Sequence, residues 1–232
     1  MIRWEKEGLS KLFAVYDDRL EQQYGFPAVV KYLQPVGDGD FVIDFGCGSG
    51  ALTPFLTSCG LYTVGVDISE HSLRIARSKY ASMNSTFLHV ASPDLKNYPF
   101  SAAVSSVLFC TLDSKDTIRN IMNTVSSMLP IHGSYVVLDF NPDAIGIDFG
   151  TFRAGCPEKT YRDGQEMSVK MRTKEGRTFS FTDTYWSVNE IVSCGEMEGF
   201  TLVGQVTPSI VLACKSRPTY GPFIVLAFER IK

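Results

Sequence analysis

The sequence predicts an α/β fold in which helices cover both faces of a mostly parallel sheet. Three observations carry that prediction. Short apolar runs alternate with helix-spaced runs from residue 41 to residue 139, the pattern of a parallel sheet joined by crossover helices. The first two strand-like runs each end on an acid, Asp44 and Asp67, about twenty residues apart, which fits one strand–helix–strand unit. A glycine turn, Gly46-Cys47-Gly48-Ser49-Gly50, follows the first acid at once. Glycine lets the main chain bend sharply there and lets a ligand lie against the backbone.

The elements follow in order. Leu9, Leu12, Phe13, Tyr16 and Leu20 recur at helical spacing and predict an amphipathic helix over that region. A further helical stretch over 29–33 stops before Pro35, and Gly37-Asp-Gly-Asp turns into the first strand, 41–43, which ends at Asp44. Helical spacing resumes over 51–56. Strands are expected over 62–66, 86–90, 102–109 and 134–139. Ser69 suits the N-cap of a helix over 73–77, and a helix over 117–128 is ended by Pro130 and Gly133. The pattern changes after Asn141-Pro142. Residues 144–164 show no period and read as a loop-rich insertion. Alternation over 167–171 and 178–185, around Lys174-Glu-Gly-Arg177, predicts an antiparallel hairpin. A helix over 188–197 closes at Gly199, and the last strands span 200–206 and 223–230. One domain of 232 residues is expected, with a helical cover (1–34), a core (35–142), a variable insertion (143–184) and a final part of the sheet (185–232).

Composition narrows the function classes. The chain is 44% hydrophobic and 20% charged, ordinary for a globular protein. A formal net charge of -3 argues against a protein held mainly by nucleic-acid phosphates. The six cysteines are scattered without a C-x-x-C pair, which suits reduced thiols in the cytoplasm and no zinc site. The charged start is no secretory signal, and no apolar run is long enough for a bilayer, so no membrane partner is expected.

The stretch Val42-Ile43-Asp44-Phe45-Gly46-Cys47-Gly48-Ser49-Gly50 resembles the first motif of the class I S-adenosylmethionine-dependent methyltransferases: a hydrophobic strand, an acid, then G-x-G-x-G. The dinucleotide fingerprint G-x-G-x-x-G does not match, and no phosphate loop occurs. The resemblance covers residues 35–142 well and 185–232 more loosely. It implies a Rossmann-like seven-stranded sheet with an antiparallel final strand, an N-terminal helical cover and the inserted hairpin as a lid. It also implies S-adenosyl-L-methionine as cofactor.

Carried over residue by residue, the resemblance sets Asp44, Gly46, Cys47, Gly48 and Gly50 against the methionine part of the cofactor. Asp67, with Ile68 beside it, would accept from the ribose hydroxyls; the alternative for Asp67 is a helix cap near Ser69. Family members often carry an acid near the adenine, and Ala91 stands at that position here. Ser92 or Asp94 is left for the role, and the alternative is a plain turn. Phe109 and Cys110 would face the cofactor. The Asn/Asp-Pro-Pro-Tyr/Phe motif of methyltransferases that act on nucleobase or glutamine amines is absent after the fourth strand.

Substrate-side candidates are Tyr16 and Tyr24 in the cover, Asn141 and Arg153, and Tyr185 and Trp186 before the late helix. His71, His89 and His132 fall in a helix, a strand and a turn, so no general base is assigned, and no metal site is expected. The functional expectation is transfer of a methyl group to oxygen, nitrogen or carbon of a small molecule, as in natural-product tailoring. The alternatives are a cofactor-binding sensor or partner subunit without turnover, and a nucleotide-dependent oxidoreductase on a related fold.

Overall fold

The computed structural model describes residues 7–33, 36–37, 39–208 and 220–232. Pro35 and Cys214 lie outside the described residues. Ten strands and six α-helices make up the regular structure of the described residues. The strands are β1 (Phe41–Phe45), β2 (Tyr62–Asp67), β3 (Ser85–His89), β4 (Phe100–Ser106), β5 (Ser134–Phe140), β6 (Phe152–Ala154), β7 (Gln165–Arg172), β8 (Thr178–Tyr185), β9 (Phe200–Val206) and β10 (Phe223–Arg230). The helices are α1 (Glu7–Phe13), α2 (Phe26–Tyr32), α3 (Thr53–Ser58), α4 (Glu70–Tyr80), α5 (Lys115–Met128) and α6 (Val188–Met197). No helix among them is long and apolar enough to cross a membrane.

Seven strands form the main sheet in the order β3-β2-β1-β4-β5-β10-β9. Pairing is parallel from β3 to β5, and β10 runs antiparallel to both β5 and β9. This is the expected Rossmann-like sheet with its antiparallel last strand. Strand order reverses at β1 and β4, the place where open α/β sheets leave a crevice.

Period-two side chains build a core on each face. Val136 and Leu138 of β5, with Val225 of β10, join Phe26 and Val29 of α2 and Leu56 of α3 on one face. Tyr135 and Val137, with Ile224 and Leu226, join Ile118 and Met122 of α5 and Ile191 of α6 on the other. Burial on both faces explains why these strands read as continuous apolar runs. Ser69 caps α4 as expected, its Oγ accepting from Ser72 N at 3.2 Å.

Three expectations need correction. The helix expected through Tyr16 and Leu20 ends at Phe13. Asp17 N donates to Arg172 O at 2.8 Å and Lys174 N to Val15 O at 3.0 Å, so the chain leaves the helix to pair with the hairpin end. A π-helical turn, Glu21–Gly25, then leads into α2. The insertion is also more ordered than a loop with a hairpin. β6 pairs with β7, and β6-β7-β8 forms a separate antiparallel sheet. Three residues of β6 are too few to display a period.

The fourth strand, expected to reach Phe109, stops at Ser106. Val107 adopts φ 52°, a left-handed conformation strained for a β-branched residue. A single 3-10 turn, Phe109–Thr111, follows.

Packing gives a direct stability test. Met122 is fully buried between sheet and α6, whereas Met83 is 99% exposed. Met122→Ala should cost about 2–5 kcal/mol in urea unfolding, and Met83→Ala should stay within roughly 0.5 kcal/mol of the parent.

Candidate functional site

The ends of β1, β2 and β4 open into a cavity of about 810 Å³, near the upper end of ordinary ligand pockets (roughly 300–1,000 Å³). Its floor is the glycine turn with Asp44 and Asp67. Its roof comes from the cover, through Phe13, Tyr16 and Glu21, and from the hairpin, through Met171, Phe181 and Asp183. The cover is fastened over the site by the backbone pairing above, by Lys174 Nζ to Asp18 Oδ1 at 2.8 Å, and by edge-on contact of Phe13 with Phe181 at 5.1 Å.

Asp67 shapes the floor. Its Oδ2 accepts from Gly48 N at 2.8 Å and its Oδ1 from Ser69 N at 2.7 Å, so one carboxylate ties the glycine turn to the start of α4. Each oxygen keeps a second lone pair for a ligand hydroxyl. Gly48 adopts φ 52°, and a Cβ there would meet nothing within 4 Å, so its backbone faces open space. Gly46 is closed in: a Cβ would lie 2.7 Å from Leu108.

Asp44 is 1% exposed. Thr53 Oγ1 donates to its Oδ2 at 2.9 Å, but its Oδ1 has no hydrogen-bonding partner. A buried carboxylate oxygen left this way is unfavourable until a donor arrives. Burial, with the nearby Asp67 charge adding, pushes the Asp44 carboxyl up to about 7. Burial likewise raises Asp67, opposed by its backbone donors.

Asp44, Gly46, Cys47, Gly48, Asp67, Ile68 and Tyr16 are the sequence candidates that the fold brings together around the cavity. Gly50 lies behind it, where a Cβ would meet Tyr80 at 3.0 Å. Ser92 caps a turn by accepting from Asp94 N at 3.3 Å, and Asp94 is exposed there; Val90 lines the cavity instead. Phe109 turns into the core beside Tyr135, with ring centroids 6.5 Å apart. Cys110 lines a separate cavity of about 20 Å³. Both point away because Asp139, at the end of β5, draws in Cys110 N at 3.0 Å.

The remaining substrate-side candidates do not line the large cavity. Tyr24 packs on the core. Asn141 is buried, accepting from Asp143 N and donating to Gly221 O at 2.9 Å. Arg153 pairs with Lys170 in the small sheet. Tyr185 stacks on Tyr161, and Trp186 Nε1 donates to Leu112 O at 3.1 Å.

Glu21 and Asp183 were missed. Their signal was an acid on an apolar face. Asp183 shares a strand face with Phe179 and Phe181, and Glu21 falls in register with buried Gly25 and Val29.

Comparison with known proteins agrees with this geometry. Residues 42–133 match the family model of a methyltransferase domain. N-demethylindolmycin N-methyltransferase of Streptomyces griseus is 29% identical over 184 residues, spanning 76% of this chain and 77% of that protein. The CcbJ methyltransferase of Streptomyces caelestis superposes with a TM-score of 0.62 at 20% identity, over 89% of this chain and 94% of its own. An S-adenosylmethionine-dependent methyltransferase of Clostridium acetobutylicum gives 0.65 at 14% identity, over 97% and 100%. Residues 42–133 thus carry the pattern of a methyltransferase domain, and the chain has the fold of S-adenosylmethionine-dependent methyltransferases. That domain and those neighbours imply S-adenosyl-L-methionine as cofactor.

The residues present suit that cofactor. Its amino group and sulfonium are cationic, and Asp44 Oδ1 is a buried acceptor still lacking a donor. The raised Asp44 carboxyl also predicts a pH effect. The native state holds its proton above the range where the unfolded chain has lost it, so stability falls as pH rises from about 4 towards 7. Asp44→Asn should flatten part of that decline in ligand-free melting curves from pH 5 to 8.

Proposed function

We propose that this chain transfers a methyl group from S-adenosylmethionine to a small organic acceptor. The observation that carries the reading is the buried, unpartnered Oδ1 of Asp44 beside the open backbone of Gly48, at the reversal of strand order. In this reading Asp44, Gly46, Cys47, Gly48, Asp67 and Ile68 hold the cofactor. The cover and the 143–184 insertion, with Tyr16 at their junction, form the acceptor side. The cofactor supplies an activated methyl carbon with a thioether leaving group.

The chain's own contribution is positioning. Asp67 fixes the glycine turn, and Asp44 offers the acceptor for an ammonium. The roofed cavity excludes water and holds the nucleophile in line with the methyl carbon. A small acceptor is favoured by the enclosing roof and by the Streptomyces griseus relative, whose name gives a small molecule as its substrate. Natural-product tailoring is the context these features suit.

Asp67→Ala removes the acceptor for both ribose hydroxyls and releases Gly48 N. Calorimetric titration with S-adenosylhomocysteine should show at least about a tenfold loss of affinity, the size of one charge-assisted hydrogen bond. His132 lies at the opposite end of β5, its Nδ1 2.7 Å from Glu229 Oε1. His132→Ala should leave that affinity unchanged. Equal affinity in Asp67→Ala and parent contradicts the assignment.

A further inference from the structure

Glu21, at the cavity wall, carries a further buried carboxylate oxygen that the protein does not satisfy. Glu21 is 1% exposed and lines the cavity from the cover, and its Oε2 has no hydrogen-bonding partner. The Tyr16 hydroxyl donates to the same carboxylate, which leaves Oε2 for something else. Glu21 opens the π-helical turn Glu21–Gly25. Such single turns are rare and concentrate at functional sites.

The surroundings select the missing donor. The charged side chains lining the cavity are Glu21, Asp44, Asp67, Asp113 and Asp183, and no Lys, Arg or His among the described residues joins them. An anionic acceptor would meet no positive charge here, whereas a cation draws these acids into their charged form and is held by it. Phe13, Tyr16 and Phe181 line the same cavity near Glu21 and Asp183, and aromatic faces favour an ammonium over an anion. Asp44 accounts for the cofactor's own amino group, so Glu21 answers to a second one.

We propose that the acceptor is an amine nitrogen carried on an aromatic or apolar frame, and that Glu21 receives its proton. The inference rests on the methyltransferase reading and specifies its substrate class. The acceptor enters as an ammonium. Its N–H proton passes to the Glu21 carboxylate, which becomes a neutral acid. The freed lone pair forms the N–C bond to the methyl carbon as the C–S bond breaks, its electron pair remaining on sulfur. The product leaves as an alkylated ammonium, and Glu21 returns its proton to solvent.

The electrostatics around Glu21 are compatible with this role. Burial pushes its carboxyl up to about 8, opposed by its own backbone amide and the Tyr16 hydroxyl, with Asp18 and Asp17 adding. Asp17 is paired with Arg19, and Asp18 with Lys174 of the hairpin. Tyr80 of α4 lies near Tyr16. Beneath the turn, Leu138 and Phe223 face Gly25 with apolar side chains. Glu21 therefore gains its negative charge as pH rises through about 8, or when a cation binds beside it.

The test uses the complex with S-adenosylhomocysteine and three probes of one shape: 2-phenylethylamine, 2-phenylethanol and phenylacetate, titrated calorimetrically from about pH 6 to about pH 9, either side of the Glu21 titration. The amine should bind at least about tenfold tighter than the alcohol at pH 8, and phenylacetate more weakly than either. In Glu21→Gln the preference and its pH dependence should disappear, while affinity for S-adenosylhomocysteine and for the alcohol stays as in the parent. Glu21→Asp should recover part of the preference. Equal binding of amine and alcohol, a preference that survives Glu21→Gln, or no binding of any probe overturns the proposal. Failure of the parent to bind S-adenosylhomocysteine overturns the methyltransferase reading beneath it.

Discussion

The crevice depends on buried carboxylates at the ends of parallel strands. Asp44 ends β1, Asp67 ends β2 and Asp139 lies near the end of β5. Charge placed there is unfavourable unless donors surround it. The protein meets that constraint with the loops themselves. Gly48 and Ser69 amides turn to Asp67, the Thr53 hydroxyl to Asp44, and the Phe140 and Cys110 amides to Asp139. Each bond fixes a loop against a strand end, so the acids shape the cavity before any ligand arrives. Burial pushes Asp139 up to about 6, as it pushes Asp44.

The roof obeys a different rule. It is held by main-chain pairing between the cover and the hairpin, and by aromatic edges from Phe13 to Phe179 and Phe181. These contacts join segments more than a hundred residues apart. They bring Glu21 and Asp183 to the same enclosed space as the glycine turn. A single cavity with acids on floor and roof is electrostatically one-sided, and that bias suits a cationic cofactor and a cationic acceptor together.

The central sheet was legible in the sequence because its strands are buried on both faces and its helices carry caps. Val188–Met197, Phe200–Val206 and Phe223–Arg230 have the bounds that periodicity gave them. The cover was not legible. Leu9, Phe13, Tyr16 and Leu20 keep helical spacing, but pairing of Val15 and Asp17 with the hairpin overrides it, a tertiary contact that local pattern does not encode. The floor of the candidate site followed from a motif whose spacing sets its geometry. Phe109 and Cys110 did not follow, because Asp139 draws their turn inward from another strand. Glu21 and Asp183 carried a signal, one acid on each apolar face, that becomes meaningful once both faces are known to meet.

The most direct measurement is a crystal structure of the complex with S-adenosylhomocysteine. The account predicts its amino nitrogen within hydrogen-bonding distance of Asp44 Oδ1, both ribose hydroxyls on Asp67, and Glu21 Oε2 facing the empty space beyond sulfur. A complex in which the ligand lies elsewhere and Asp44 Oδ1 still lacks a donor would contradict it.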